Sequence, residues 1–147
     1  MANYKPMMIP HYFIYGAVGL LIEIFWTGMG SLLSGNFALT GHTYLWMFFI
    51  YGLAVFLEPI HDLIRSKSML IRGLIWVTLI YAIEFSTGLF LKLLIGYCPW
   101  DYSNATSLTI WGLIRFDYAP AWFIAGIMFE KLHDKLDQIK ITYLTNK

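Results

Sequence analysis

The sequence predicts an all-α polytopic membrane protein, four transmembrane helices in an up-down-up-down bundle forming a single transmembrane domain over residues 1–147. Three observations predict it. Of the 147 residues, 59% are hydrophobic and 13% charged, and mean hydropathy is +0.62; a soluble domain carries about 25% charged residues. A chain this short cannot bury so much apolar surface within itself, so the surplus faces lipid. Four apolar runs approach the roughly 20 residues that a helix needs to cross the hydrocarbon core. The 10 Lys and Arg residues, finally, segregate to alternate ends of those runs.

The first run covers residues 11–33 and follows Pro10, which a helix start tolerates because the missing N–H has no partner there anyway. No small-residue cleavage site follows a short apolar core, so this run reads as a retained span. Gly35 and Gly41 mark the loop to the second run, residues 44–64. Arg65, Lys67 and Arg72 bracket the turn into the third, residues 70–95. The outer loop, residues 96–117, is too long for a tight turn, and its apolar stretch of 10 residues, 108–117, is too short to span. It reads as a hairpin or interfacial segment over the outer mouth. The fourth run, residues 118–136, starts beside Pro120.

Orientation follows from the cations. Lys5, Arg65, Lys67, Arg72, Lys131, Lys135, Lys140 and Lys147 fall on one side, and Lys92 and Arg115 on the other. The positive-inside rule places both termini in the cytoplasm, with the plasma membrane as the expected location. Trp26, Trp46, Trp76, Trp100, Trp111 and Trp122 lie near span ends or in the outer loop, as an interfacial belt would, though plain core packing explains any single one of them as well. The net charge of +1 gives no ground for a nucleic-acid partner. The lipid bilayer is the partner the composition implies, and a homo-oligomer or second membrane protein stays open. Cys98 is the single cysteine, so no internal disulfide forms.

The four glutamates, Glu23, Glu58, Glu84 and Glu130, fall one per run. An ionised side chain at mid-bilayer costs at least about 2.5–3.5 kcal/mol, so such residues face the protein interior and carry a functional expectation. They also sit in a repeat. Glu58-Pro59-Ile60-His61-Asp62 resembles Glu130-Lys131-Leu132-His133-Asp134, and Ile22-Glu23 with Thr27-Gly28 resembles Ile83-Glu84 with Thr87-Gly88. A parallel internal repeat of a helical hairpin is implied. It gives one Glu on each odd helix and Glu-x-x-His on each even one, the ligand set of di-iron and di-manganese bundles. Glu23, Glu58, His61, Glu84, Glu130 and His133 are therefore candidate ligands for iron or manganese. A solvated helix end explains Glu130, His133 and Asp134 without any metal. Pro59 should kink the second helix beside Glu58 and free the Val55 carbonyl. Gly16, Gly19, Gly28, Gly30, Gly52 and Gly126 would let helices approach closely.

Glu84-Phe85-Ser86-Thr87-Gly88, the run Cys98-Pro99-Trp100-Asp101-Tyr102-Ser103, Gly112-Leu113-Ile114, Tyr118-Ala119 and Trp122-Phe123 resemble the transmembrane protein 229 family and the CmpB-like ABC-transporter type IV membrane family, over residues 16–130. The resemblance implies a four-helix membrane protein. No Gly-x-x-x-x-Gly-Lys-Ser/Thr loop is present in the sequence, so any ATPase would be a separate protein.

Three functions are compatible with these residues. The first is permease-like movement of a proton, cation or small solute along Glu23, Glu58, Glu84 and Glu130. The second is a membrane di-metal carboxylate enzyme. The third is a non-catalytic partner or assembly subunit. The first needs only the glutamates, and the balance leans away from an enzyme. Cys98, Pro99, Trp100, Asp101 and Tyr102 would form a lid, a substrate contact or the scaffold of the outer loop.

Overall fold

The structure, a computed structural model, describes residues 8–105 and 108–145, with side chains described to Ile139. Lys5, Lys147 and the side chain of Lys140, which enter the charge count, lie outside the described residues. The elements in order are helix α1 (Met8–Leu33), α2 (Leu45–Gly52), a 3-10 turn (Leu53–Leu57), α3 (Glu58–Ile64), α4 (Met69–Ile95), strands β1 (Thr109–Ile110) and β2 (Ile114–Arg115), a second 3-10 turn (Phe116–Tyr118) and α5 (Ala119–Thr145). Among the described residues, three helical runs are long and apolar enough to cross a membrane: Met8–Leu33, Leu45–Ile64 and Met69–Ile95. α5 is as long as α4, but Glu130, Lys131, Asp134, Lys135 and Asp137 interrupt its apolar residues. Side chains such as Leu21, Phe25, Phe90 and Leu93, at 60–79% exposure, would face water on a soluble protein. Helices sheathed in such residues make this an integral membrane protein, because lipid is the solvent that accepts them.

The chain divides into two compact units, Met1–Pro59 and Ile60–Lys147. In the first, α1 and α2 run antiparallel. Tyr12 meets Gly52, Gly16 meets Phe48, and Gly28 meets Gly41. A Cβ on Gly16 or Gly52 would run into its neighbour, so the expected close approach is real at both. Gly30 faces open space and has no such role. The loop between α1 and α2 folds back on α1, where the Thr27 hydroxyl accepts the His42 N–H at 2.8 Å.

The second helical run breaks at Pro59 as expected, but not by leaving a carbonyl free. Residues 53–57 tighten into a 3-10 turn, and the Glu58 N–H bonds the Val55 carbonyl. An i→i+3 bond thereby replaces the i→i+4 bond that proline cannot make. The expectation that Val55 offers a free ligand oxygen is therefore corrected.

In the second unit, α4 is capped at both ends. The Ser68 side chain accepts the Ile71 N–H, and Gly96, at φ +86°, closes the helix by donating to the Lys92 carbonyl. Only a residue without a Cβ takes that left-handed position cheaply. α5 runs antiparallel to α4, with Gly126 against Trp76 and Gly73 against Phe123. The outer loop forms a two-stranded antiparallel hairpin, Thr109 opposite Arg115 and Ile110 opposite Ile114, as one of the two expected forms. The Tyr81 hydroxyl ties it to α4 through the Arg115 and Phe116 carbonyls, each at 3.1 Å.

Candidate functional site

Each glutamate is held by hydrogen-bond donors, and the donors repeat. In the first unit, Glu58 Oε1 lies 2.6 Å from His11 Nδ1 and accepts the Tyr15 hydroxyl at 2.7 Å. In the second, Glu130 accepts the Arg72 Nε–H at 3.0 and 3.1 Å and the Trp76 indole N–H at 2.7 Å. Arg72 and Trp76 stand 61 residues after His11 and Tyr15, the same offset that separates Glu84 from Glu23. Both pairs are an i and an i+4 residue, which share one face of a helix. Each unit is thus a hairpin whose first helix grips the glutamate of its second helical run at corresponding positions.

The other two glutamates take a tyrosine each. The Tyr51 hydroxyl donates to Glu23 Oε2 at 2.6 Å, and the Tyr102 hydroxyl to Glu84 Oε1 at 3.0 Å. Tyr51 comes from α2, whereas Tyr102 comes from the outer loop, so the repeat is not copied at this level. Glu84 is 8% exposed and Glu130 4%. Eight residues of α4 separate Trp76 from Glu84, and eight of α1 separate Tyr15 from Glu23. At 1.5 Å per residue, the two carboxylate levels within each hairpin stand about 12 Å apart.

This spacing decides what the metal-ligand set amounts to within each unit. In the second, His61, Glu130 and His133 come together: His61 Nδ1 is 3.6 Å from Glu130 Oε1, and the two imidazole rings are 5.4 Å apart. Glu84 belongs to the other level. Arg72 already lies against both oxygens of Glu130, so a metal there would compete with a cation the chain supplies. In the first unit, Glu58 and Glu23 are likewise on different levels. Neither hairpin by itself assembles the carboxylate-bridged ligand set expected for iron or manganese. His61 also faces Asp134 Oδ1 at 3.1 Å through Nε2, and Arg65 pairs with the same oxygen at 2.8 Å. Arg65 lies in the turn before α4, where its bonds to Asp62 and Asp134 hold its guanidinium more basic than usual.

The outer-loop run folds around the contact between Tyr102 and Glu84. Cys98, Trp100 and Leu113 are buried, and all three close on Gly88, one turn beyond Glu84. The Trp100 N–H donates to the Leu113 carbonyl at 3.2 Å. Burial pushes the Cys98 thiol up, away from reactivity. Asp101 accepts both the hydroxyl and the N–H of Ser103, which hold its carboxyl below its ordinary range. Gly112, at φ +70°, makes room for Asp101 and Ser103. Arg115 lies over the Tyr118 ring at 4.1 Å and pairs with Asp117, which keeps that carboxyl low as well. The product of this framework is the position of Tyr102.

For two of the tryptophans the choice between belt and core falls to the core. Trp76 is 1% exposed and Trp100 7%, so neither belongs to an interfacial belt; each is buried with its N–H bonded. Trp26, Trp46 and Trp111 are exposed as a belt requires. Sequence reasoning missed His11, Tyr15, Arg72, Trp76 and Tyr51 as partners of the glutamates. The offset of 61 that links Glu23 to Glu84 would have found the first four, had it been followed back along the helices.

No solved structure matches the chain. The sequence matches the family described as Putative ABC-transporter type IV over residues 11–146, a stretch that begins at His11 and takes in all four glutamates and their partners. The chain belongs to that transporter-like membrane family.

Proposed function

We propose that the chain is a permease-like protein of four membrane spans that moves a proton, a cation or a small solute along Glu23, Glu58, Glu84 and Glu130. α5 supplies the fourth span in this reading. Its charged turn is compensated where it is buried, because Arg72 neutralises Glu130, while Lys131 and Lys135 are exposed and can snorkel to the headgroups. Both termini then lie in the cytoplasm, on the side that holds Arg65 and Lys67.

The observation that carries the reading is the pair of carboxylate levels in each hairpin. Each level costs at least about 2.5–3.5 kcal/mol to place in a bilayer. Helix register alone could be fixed with neutral amides at lower cost. Two levels in each unit, about 12 Å apart along the helix, are stations along an axis. The family's transporter description agrees with this use.

The test is purified protein in liposomes carrying an entrapped pH-sensitive dye, with Glu23→Gln and Glu84→Gln as variants. Flux above that of empty liposomes in the wild type, lost in variants that stay monodisperse and helical, supports the proposal. Wild-type flux equal to empty liposomes for protons and small cations, with variants altered in stability alone, would instead favour the assembly-subunit reading.

A further inference from the structure

The loop between α1 and α2, residues 34–43, contains no Lys, Arg, Asp or Glu. Its large side chains point outward, Phe37 at 84% exposure and Leu39 at 52%. Leu33 and Leu45 at the flanking helix ends are exposed as well, so the apolar surface of the two membrane-crossing runs continues across the loop. The polar backbone, by contrast, is turned inward. The N–H groups of Ser34, Gly35 and Asn36 reach carbonyls of the last turn of α1, and that of Leu39 reaches the Asn36 carbonyl. The Ala38 N–H takes the Asn36 side chain and the His42 N–H the Thr27 hydroxyl. Leu39 holds a left-handed backbone, φ +54°. That conformation crowds a Cβ, and Gly, Asn and Asp are its ordinary occupants. The turn sets the Leu39 carbonyl against α1 at Gly28 and leaves the side chain outside.

We propose that residues 34–43 are a membrane anchor rather than a connection standing in water: Phe37 and Leu39 enter the boundary between headgroups and acyl chains of the nearer leaflet. Three features fit lipid as the occupant. Irregular backbone meets lipid only where its polar groups are satisfied from within, and this loop's hydrogen bonds do that for six of its N–H groups. A loop without a charged side chain strands no ion on entering the boundary. Strained backbone persists where something beyond the local chain is gained by it. An outward Leu at a left-handed position gains nothing from water, whereas lipid accepts its side chain. The second unit uses the same device in its own loop. The Leu113 N–H bonds the Ile110 carbonyl at 2.9 Å around Trp111, φ +54°, and Gly112, φ +70°. Asn-Gly is the usual pair in such a turn, yet here an exposed tryptophan takes the first place, the side chain that prefers the membrane interface. The proposal does not rest on the transport reading.

The test is fluorescence quenching of the full chain in phosphatidylcholine–phosphatidylglycerol liposomes. Phe37→Cys, Leu39→Cys and, as the water-exposed control, Asn104→Cys are each labelled with an environment-sensitive dye in a Cys98→Ser background. Should Cys98→Ser misfold, Cys98 is kept, since it is buried and labels slowly. Phe37 is so exposed that its replacement leaves the fold intact, which secures one position if Leu39→Cys fails. Lipids carrying a spin label high on the acyl chain are expected to quench positions 37 and 39 at least threefold more than position 104, and aqueous iodide is expected to show the reverse order. Iodide that reaches positions 37 and 39 as freely as position 104 would overturn the proposal. A label open to iodide in liposomes but shielded in native membranes would overturn it too, and would assign the surface to a protein partner.

Discussion

Arg72→Met isolates the energetics of the second clamp. Glu130 is 4% exposed, and its oxygens face the Arg72 guanidinium and the Trp76 N–H. Removing the guanidinium leaves a buried carboxylate without that cation, a change that costs about 3–5 kcal/mol. Glu130→Gln removes the charge instead and leaves a guanidinium at 23% side-chain exposure that water can partly solvate, so its cost is smaller. With both replaced, no buried charge is stranded, and such double replacements are often close to neutral. The double variant should therefore recover at least about 2 kcal/mol relative to the sum of the single changes, within the range seen for residues in one network. Equilibrium unfolding in mixed micelles, followed by tryptophan fluorescence, measures all four corners of this cycle. Strict additivity, or a cost below about 1 kcal/mol for Arg72→Met, would refute the claim that Arg72 neutralises Glu130.

Further outcomes follow from the packing and the loop. Gly73→Val places methyl groups where Phe123 lies and should separate α4 from α5, at a cost of at least about 1–3 kcal/mol in the same unfolding assay. Tyr102→Phe leaves Glu84 without that hydroxyl and should destabilise by about 1–3 kcal/mol. Cys98 should resist maleimide in wild type and react faster in Asp101→Ala, since the Asp101–Ser103 bonds shape the loop that buries it. Because Asp101 is held below its ordinary carboxyl range, its contribution is complete above that range and lost as pH falls through the lower folded value. The Cys98 labelling contrast between wild type and Asp101→Ala, read with a pH-tolerant thiol reagent, should therefore persist at pH 5–7 and fade only in stronger acid, below about pH 4.

The helices of the first three runs were legible because apolar length is what a bilayer demands of sequence. Observed starts and ends at Met8, Leu33, Leu45, Ile64, Met69 and Ile95 lie within three residues of the expected ones. α5 shows the limit of that signal. Its start beside Pro120 was legible, but the run was expected to stop at residue 136, and the helix continues to Thr145. Hydropathy reports where apolar residues stop, and a helix can continue beyond that point as an amphipathic rod. Pro59 was legible as a break, while the 3-10 turn that repairs the Val55 carbonyl follows from backbone geometry that no residue type announces. The glutamates were legible from cost alone. Their partners were not, because His11 and Glu58 are 47 residues apart, and Arg72 and Glu130 58. Trp76 shows the same blindness: an indole near a span end reads as belt until the chain is folded and its N–H is found on a carboxylate.

The most direct test of the account is the transient current on a solid-supported membrane after a rapid pH step, comparing wild type with Glu58→Gln and Glu84→Gln. Charge displacement in the wild type, reduced at least tenfold in each variant at equal amounts of folded protein, is the predicted result. Equal displacement in all three proteins would contradict the claim that the intramembrane glutamates carry the moving charge.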